Sequence, residues 1–464
     1  MNVSVWWIVS WAYASPIDVV GYGTNTAQGN TGTASVGIDA LSLNPAGITG
    51  KRSISFGYSM LRTHFVDVPS VAWDSNQDGT INEYDERLQP NVNYAPADGV
   101  SLAIVQPMID GITFGFNAYL PSAHLLRLNT YDSALPSYFL YRSALQRYGI
   151  LAGVSYAVSD DLRIGVGIDL LYTAHFQLMG TLRGVASEGE DGEAHLETYV
   201  DLHDISLEAN PAASYTLGCQ WSPYFVEGLR VGAAFRTAQA NVMDVYLDFQ
   251  ADGTLTGLDN FNDQNTTILL PLSLSLLDYY KPAEFRMGLA WEKWKRAQLY
   301  GDIVWTGWSK AFLNTIQVKE GSLSIPMLYD EPIAVLDGNP YQLELQDVWS
   351  FRLGLASHWM LGSVPVVFRG GIGSISSALS RYGRNMSPLE APRLLFSSGI
   401  TIEVTSPILE KPMLISLMGQ WQKLATGYIE VLYDTPQTLG APEGDTVPFG
   451  GSLLNASLQT QVYY

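Results

Sequence analysis

Residues 162–170 read Leu-Arg-Ile-Gly-Val-Gly-Ile-Asp-Leu. Leu162, Ile164, Val166, Ile168 and Leu170 fall on one side of an extended chain, and Arg163, Gly165, Gly167 and Asp169 on the other, because neighbouring strand residues point to opposite faces. The pattern recurs. Leu229, Val231, Ala233 and Phe235 oppose Arg230, Gly232, Ala234 and Arg236; Phe285, Met287, Leu289 and Trp291 oppose Glu284, Arg286, Gly288, Ala290 and Glu292. Phe351, Leu353 and Leu355 oppose Arg352, Gly354, Ala356 and His358; Leu394, Phe396, Ile400 and Ile402 oppose Arg393, Ser397, Gly399, Thr401 and Glu403. A water-soluble sandwich also alternates. Here, however, the second face carries Gly, Ala, Ser and paired charges rather than a solvated run of Lys and Glu. The strands are also long, ~10 residues or more, as a tilted membrane strand requires. Backbone polar groups cannot stay unpaired in hydrocarbon, so such strands must close into a barrel.

Composition agrees. A soluble chain of 464 residues would hold roughly three domains. Charged residues are only 15% and hydrophobic ones 47%, against about 25% charged in soluble domains. The net charge of -20 argues against a nucleic-acid partner, since phosphate binding needs a basic surface. The single cysteine, Cys219, excludes a disulfide framework and a Cys-rich metal site. No apolar run approaches the ~18 residues of a spanning helix.

Strands are expected at 51–66, 98–108, 111–120, 148–158, 161–178, 206–221, 229–250, 283–293, 298–310, 347–360, 364–373, 393–404, 412–423 and 451–464. The expected fold is all-β: a single closed antiparallel transmembrane barrel of about fourteen strands, an even number as in bacterial outer-membrane barrels. Short turns at Asp110-Gly111, Ser159-Asp160, 222–228, 294–297, 361–363 and 405–411 alternate with longer stretches at 67–97, 121–147, 179–205, 251–282, 311–346, 374–392 and 424–450. The short set belongs in the periplasm and the long set outside. Within 179–205, His195, Glu197, Tyr199, Asp201 and His203 alternate with Leu196, Val200 and Leu202, so strands there extend past the bilayer or pair outside it. The last strand sets Leu454, Ala456, Leu458, Thr460, Val462 and Tyr464 against Asn455, Ser457, Gln459 and Gln461. A terminal aromatic strand of this kind resembles the signal read by the outer-membrane assembly machinery.

Two segments precede the barrel region, 51–464. Residues 1–14 hold a short apolar run ending in Ala12-Tyr13-Ala14, which fits an export signal with an A-x-A cleavage site, although no Lys or Arg precedes the run. The alternative is a buried first strand rich in Trp. Residues 15–50 do not alternate; they are small and Gly-rich, with Asp39-Ala40 and then Asn44-Pro45-Ala46-Gly47. Such a segment has no place on a lipid face. It forms either a plug inside the barrel or a periplasmic linker.

A Gly-rich stretch, then Asp-Ala, then Asn-Pro-Ala immediately before the first strand resembles the N-terminal hatch of the FadL family, outer-membrane transporters of long-chain fatty acids and other hydrophobic compounds. Val304-Trp305-Thr306-Gly307-Trp308, followed by Ser309, also resembles that family's aromatic strand after a periplasmic turn. The motifs cover only about 21–48 and 283–310; the first long loop is more acidic than the family's, and the apolar stretch 267–277 is extra. The resemblance implies a bacterial outer-membrane location, a fourteen-stranded barrel, Asn44, Pro45 and Ala46 as hatch residues in the lumen, and passive transport through hatch rearrangement. It implies fatty acids or other hydrophobic small molecules, together with outer-membrane lipids, as partners.

An anionic head group needs a cation. The inward arginines Arg163, Arg230, Arg236, Arg286, Arg352 and Arg393 are candidates to supply one by charge-assisted hydrogen bonds. The competing reading pairs them with Asp169, Glu284, Glu292, Asp302 and Glu403 as lumen filling. Residues 74–85, Asp-Ser-Asn-Gln-Asp-Gly-Thr-Ile-Asn-Glu-Tyr-Asp, resemble a calcium loop. Asp74, Asn76, Asp78, Thr80, Asn82 and Asp85 stand at ligand spacing, and Gly79 at the sharp turn. Asp85 replaces the usual final Glu, and the plain alternative is a solvated acidic loop. No other cofactor is required by this reading.

The six histidines form no H-E-x-x-H, and neither a nucleophile elbow nor a P-loop is present. His195, Glu197, Asp201 and His203 share a strand face, which is either a metal site or polar decoration at a strand edge. A non-enzymatic transporter is the leading reading. A barrel for protein secretion or surface attachment, and an outer-membrane lipid hydrolase with Ser and His near the rim, are the alternatives.

Overall fold

The computed structural model describes residues 23–73, 86–90, 92, 96–122, 137–138, 141, 148–188, 194–255, 264–294, 296–310, 316–323, 333–334, 345–379, 389–405, 411–430 and 446–464. An oily outer face leaves the backbone without water, so every strand edge must find a partner. Fourteen strands do so in a closed antiparallel ring. They are β1 (Ser53–Phe65), β2 (Ala97–Pro107), β3 (Ile112–Pro121), β4 (Gly149–Ala157), β5 (Leu162–Glu188), β6 (Ala194–Trp221), β7 (Leu229–Arg236), β8 (Glu284–Trp294), β9 (Ala297–Thr306), β10 (Val348–Leu361), β11 (Val364–Ile375), β12 (Arg393–Val404), β13 (Met413–Glu430) and β14 (Thr446–Tyr463). The seam is made by β1 and β14, paired from Ser53↔Tyr463 to Phe65↔Gly451.

The alternation read from the sequence is the inside–outside division of the wall. Leu353 is 60% exposed on the outer surface, whereas its neighbour Arg352 is 1% exposed and faces inward. Phe285, Met287 and Leu289 are exposed on β8 while Glu284 and Arg286 are buried; Leu454 and Leu458 are exposed on β14 while Asn455 and Gln459 are buried.

Several boundaries differ from the sequence-based ones. β5 and β6 run on past 178 and 206 as one long hairpin, paired up to Glu188↔Ala194. The expected strand 229–250 is broken after Arg236. There the Thr237 hydroxyl accepts the Tyr215 amide (3.0 Å), and the Thr237 amide donates to the Tyr215 carbonyl (2.9 Å). The chain resumes as a strand, Gln239–Leu255, which pairs antiparallel with Gln264–Lys281 and parallel with 176–186 of β5. The apolar stretch 267–277, expected in a loop, therefore lies in a strand outside the ring. Pro282 separates that strand from β8, since proline brings no N–H to a ladder. The loop expected at 311–346 likewise contains strands Ile316–Leu323 and Ile333–Ala334.

Arginine in place of an outward residue must be desolvated by lipid. Leu353→Arg should cost about 2–4 kcal/mol of stability if the site lies near the bilayer midplane. Denaturant unfolding in lipid vesicles measures this, with Leu353→Phe expected to leave the midpoint unchanged.

Candidate functional site

Residues 23–50 carry few large side chains, and they lie against the inner face of the ring. They fold into three short 3-10 turns, Thr24–Gln28, Ile38–Ser42 and Pro45–Gly47. Asn44 organises the last of these. Its side-chain oxygen accepts from the Ala46 amide (3.1 Å), capping the turn, and Pro45 supplies the fixed φ suited to a first helical position. Its amide nitrogen donates to the carbonyls of Thr33 (2.7 Å) and of Cys219 on β6 (3.0 Å). Asn44 thus caps its own turn, ties the segment to itself and ties it to the wall.

The wall grips main chain. Gln220 donates to the carbonyls of Ser35 (2.7 Å) and Thr33 (3.3 Å), Arg230 Nε to Ala34 (2.9 Å) and Gln420 to Thr26 (3.4 Å). Ser155 bonds the Ile48 carbonyl, and Ser397 accepts from the Gly29 amide (2.7 Å). Asp302 accepts from the amides of Gly32 (3.0 Å) and Thr33 (3.1 Å) and from the Thr33 hydroxyl (2.6 Å). Close approach of two backbones explains the inward glycines. A Cβ on Gly165 would collide with the Pro45–Ala46 peptide, and one on Gly232 with the Thr33 carbonyl. Gly354 and Gly371 make the same room for Gln28, and Gly399 for Ala27. Apolar packing adds two patches: Ile38, Leu41 and Ile48 meet Ala103, Val105 and Leu151, and Ala34 meets Ala290, Tyr300 and Ala356.

The six candidate arginines do not converge. Arg236 (3.3 Å) and Arg286 both pair with Glu284, and Arg230 pairs with Glu292. Arg352 reaches the Asn30 carbonyl (3.4 Å). Arg393 stands at the start of β12, 5.5 Å from the Tyr141 ring, at the end of the barrel where the long connections lie. Arg163 lies near the other end of the wall, beside Ala157 and Gln220. Among the described residues, ion pairs with Glu284 and Glu292 hold Arg230, Arg236 and Arg286 in the way the filling reading expects. The calcium-loop residues Asp74, Asn76, Asp78, Thr80, Asn82 and Asp85, the export-signal residues 1–14 and the side chains of His195, Glu197, Asp201 and His203 lie outside the described residues.

A family model described as outer membrane protein transport protein (OMPP1/FadL/TodX) matches residues 13–358. The chain belongs to this family. Its place is the bacterial outer membrane. A Pseudomonas aeruginosa FadL homologue of known structure is 14% identical, with a TM-score of 0.58 over 97% of this chain and 99% of its own. The P. putida toluene transporter TodX is 15% identical, with a TM-score of 0.51 over 96% and 99%. At these identities the likeness is one of fold. No curated protein matches the chain by sequence.

Within this FadL-family barrel, two further features surround the seated segment. One is a narrow cleft with room for about one water molecule, between Leu41 and Ser42 on one side and Leu151, Ala152, Gly167, Ile168, Asp169 and Thr216 on the other, with Arg236 also lining it. The other lies at the end of the long connections. Tyr138 is fully buried, stacked on Phe65 at 4.0 Å and bonded through its hydroxyl to both the carbonyl (3.0 Å) and the amide (2.8 Å) of Gly450. Leu389 donates to the Ser137 carbonyl (2.7 Å), which joins two long connections across the mouth. Beside them Glu390 is fully buried and accepts from the Ala378 amide (2.8 Å) and the Ser377 hydroxyl (3.2 Å). None of Tyr138, Tyr141 and Glu390 stood out in the sequence, because they belong to non-alternating connections.

Burial pushes the Glu390 carboxyl up from its ordinary 4.5 to about 7, against the opposing pull of Arg393 and of its hydrogen-bond donors. A raised carboxyl pKa favours the folded mouth while the group is protonated. That contribution is complete below about pH 4.5 and is lost as pH rises through about 7. Hydrogen exchange at 376–379, corrected for the intrinsic rate, should accelerate across this window. Glu390→Gln should remove the pH dependence.

Proposed function

We propose that this chain carries hydrophobic small molecules passively across the outer membrane, with residues 15–50 as a hatch that must shift to open a path. The observation that carries the reading is the seating of 23–50 inside the ring by wall groups that bond its main chain. A segment held by many separate polar bonds and two small apolar patches is suited to displacement and return. Each neutral hydrogen bond contributes only about 0.5–1.5 kcal/mol.

For the substrate, the ion pairs favour an uncharged hydrophobe or the acyl part of a fatty acid over a strongly anionic head group at mid-barrel. Glu284 and Glu292 already hold Arg230, Arg236 and Arg286. A toluene transporter, P. putida TodX, shares the fold, which supports small aromatic hydrocarbons beside long-chain fatty acids as substrates to try. The reading is one of transport without catalysis. We also propose that the 74–85 loop binds structural calcium, on the spacing of its oxygen side chains, and that the last strand is what the assembly machinery engages.

Deleting 23–47 tests the plug. The barrel should still assemble, shown by heat-modifiable gel migration, while ion conductance in planar bilayers rises and uptake of toluene or oleate into vesicles changes. Wild-type conductance and uptake with an intact barrel would refute the reading.

A further inference from the structure

The hatch turn 29–33 is built on two successive left-handed residues, Gly29 (φ 74°) and Asn30 (φ 56°). Glycine adopts this conformation freely and asparagine tolerates it. Ser397 on β12 accepts the Gly29 amide (2.7 Å), and Arg352 on β10 donates to the Asn30 carbonyl (3.4 Å). One oxygen of Asp302 on β9 collects the Gly32 amide (3.0 Å), the Thr33 amide (3.1 Å) and the Thr33 hydroxyl (2.6 Å). Asp302 and Arg352 are direct cross-strand partners. Both are buried, at 3% and 1% exposure. Across the other neighbour the partner of Asp302 is Gly288, where a Cβ would strike Thr33. The wall thus offers an anion, a cation and a space at one level, and the turn answers with converging N–H groups, a carbonyl and a buried threonine.

Bonds to an ionised carboxylate are about twice as strong as neutral ones. The remaining polar ties to the hatch are mostly single bonds from Gln, Asn and Ser, apart from the Arg230 tie to Ala34 and the Gln459 tie to the Asp39 carboxylate (3.2 Å). We infer that Asp302, aided by Arg352, is the latch that holds the hatch closed: a positioning residue that sets how often the barrel opens rather than one that binds the passing molecule. This rests on the hatch reading above. It is main-chain recognition, so the latch engages only when the 29–33 turn has its left-handed form. Displacing the turn breaks all three Asp302 bonds together, which makes release all-or-none.

Asp302→Asn keeps the shape and removes the charge. In planar bilayers with potassium chloride it should raise the open fraction about tenfold, since a charge-assisted bond weighs on a two-state equilibrium by that order. Heat-modifiable migration should stay as in the parent. Thr33→Val, which removes one of the three bonds, should give a smaller rise. The double variant should leak less than the product of the two single effects, because both changes weaken one shared contact. Asp98→Asn, which breaks the Arg62–Asp98 pair at the far end of β2, should leave the open fraction unchanged. Parental conductance in Asp302→Asn, or independent multiplying effects in the double variant, overturns the latch. If Asp302→Asn does not assemble, Thr33→Val decides: parental conductance there overturns it. Leak after deletion of 23–47 without leak in Asp302→Asn would refute the latch alone, whereas absence of leak in both would refute the hatch as well.

Discussion

The structure depends on one constraint: inside a bilayer no water is available to a backbone amide or carbonyl. A sheet meets it only by returning to its first strand, and β1 therefore meets β14 along its whole length. The outer face is handed to lipid, so apolar residues such as Phe351 and Leu353 lie exposed on the surface instead of in a core. The polar and small residues between them are enclosed by default. Burial in this barrel means facing the lumen, which is why Arg352 and Asp302 are among its most hidden side chains.

An enclosed polar space still has to be filled and its charges satisfied. The wall manages part of this itself, through pairs such as Arg236 with Glu284 and Arg230 with Glu292. Such pairs repay their desolvation only when well bonded, so they specify the wall more than they strengthen it. The rest of the space is taken by the protein's own N-terminal chain. Wall glycines at 165, 232, 354 and 371 let that chain come within backbone contact. Because the grip is on main-chain groups, the seated segment needs no large anchors.

The sequence shows the wall more clearly than it shows the interior. Period two identifies each outward residue of β8, β10 and β12 because lipid imposes the same demand on every strand. The inward glycines are visible in the same pattern, but their purpose depends on a segment 115 or more positions away in the chain for Gly165 and its successors, and alternation carries no such information. Asn44-Pro45-Ala46 is legible because its capping is local. Asp302 is legible as an inward carboxylate but not as a hatch acceptor, since its partners are the amides of Gly32 and Thr33 rather than an arginine. The break at Thr237 and the strand at 264–281 were missed for another reason: side-chain hydrogen bonds and pairing outside the ring obey no membrane periodicity.

The most direct test of the account is spin-label accessibility in lipid vesicles, scanned along 348–356 and 26–34 with oxygen as the lipid-soluble quencher and a nickel chelate as the aqueous one. The account predicts oxygen access at Trp349, Phe351, Leu353 and Leu355 only, alternating with protected sites, and poor access to both quenchers throughout 26–34. Uniform accessibility along 348–356, or free nickel access across 26–34, would contradict it.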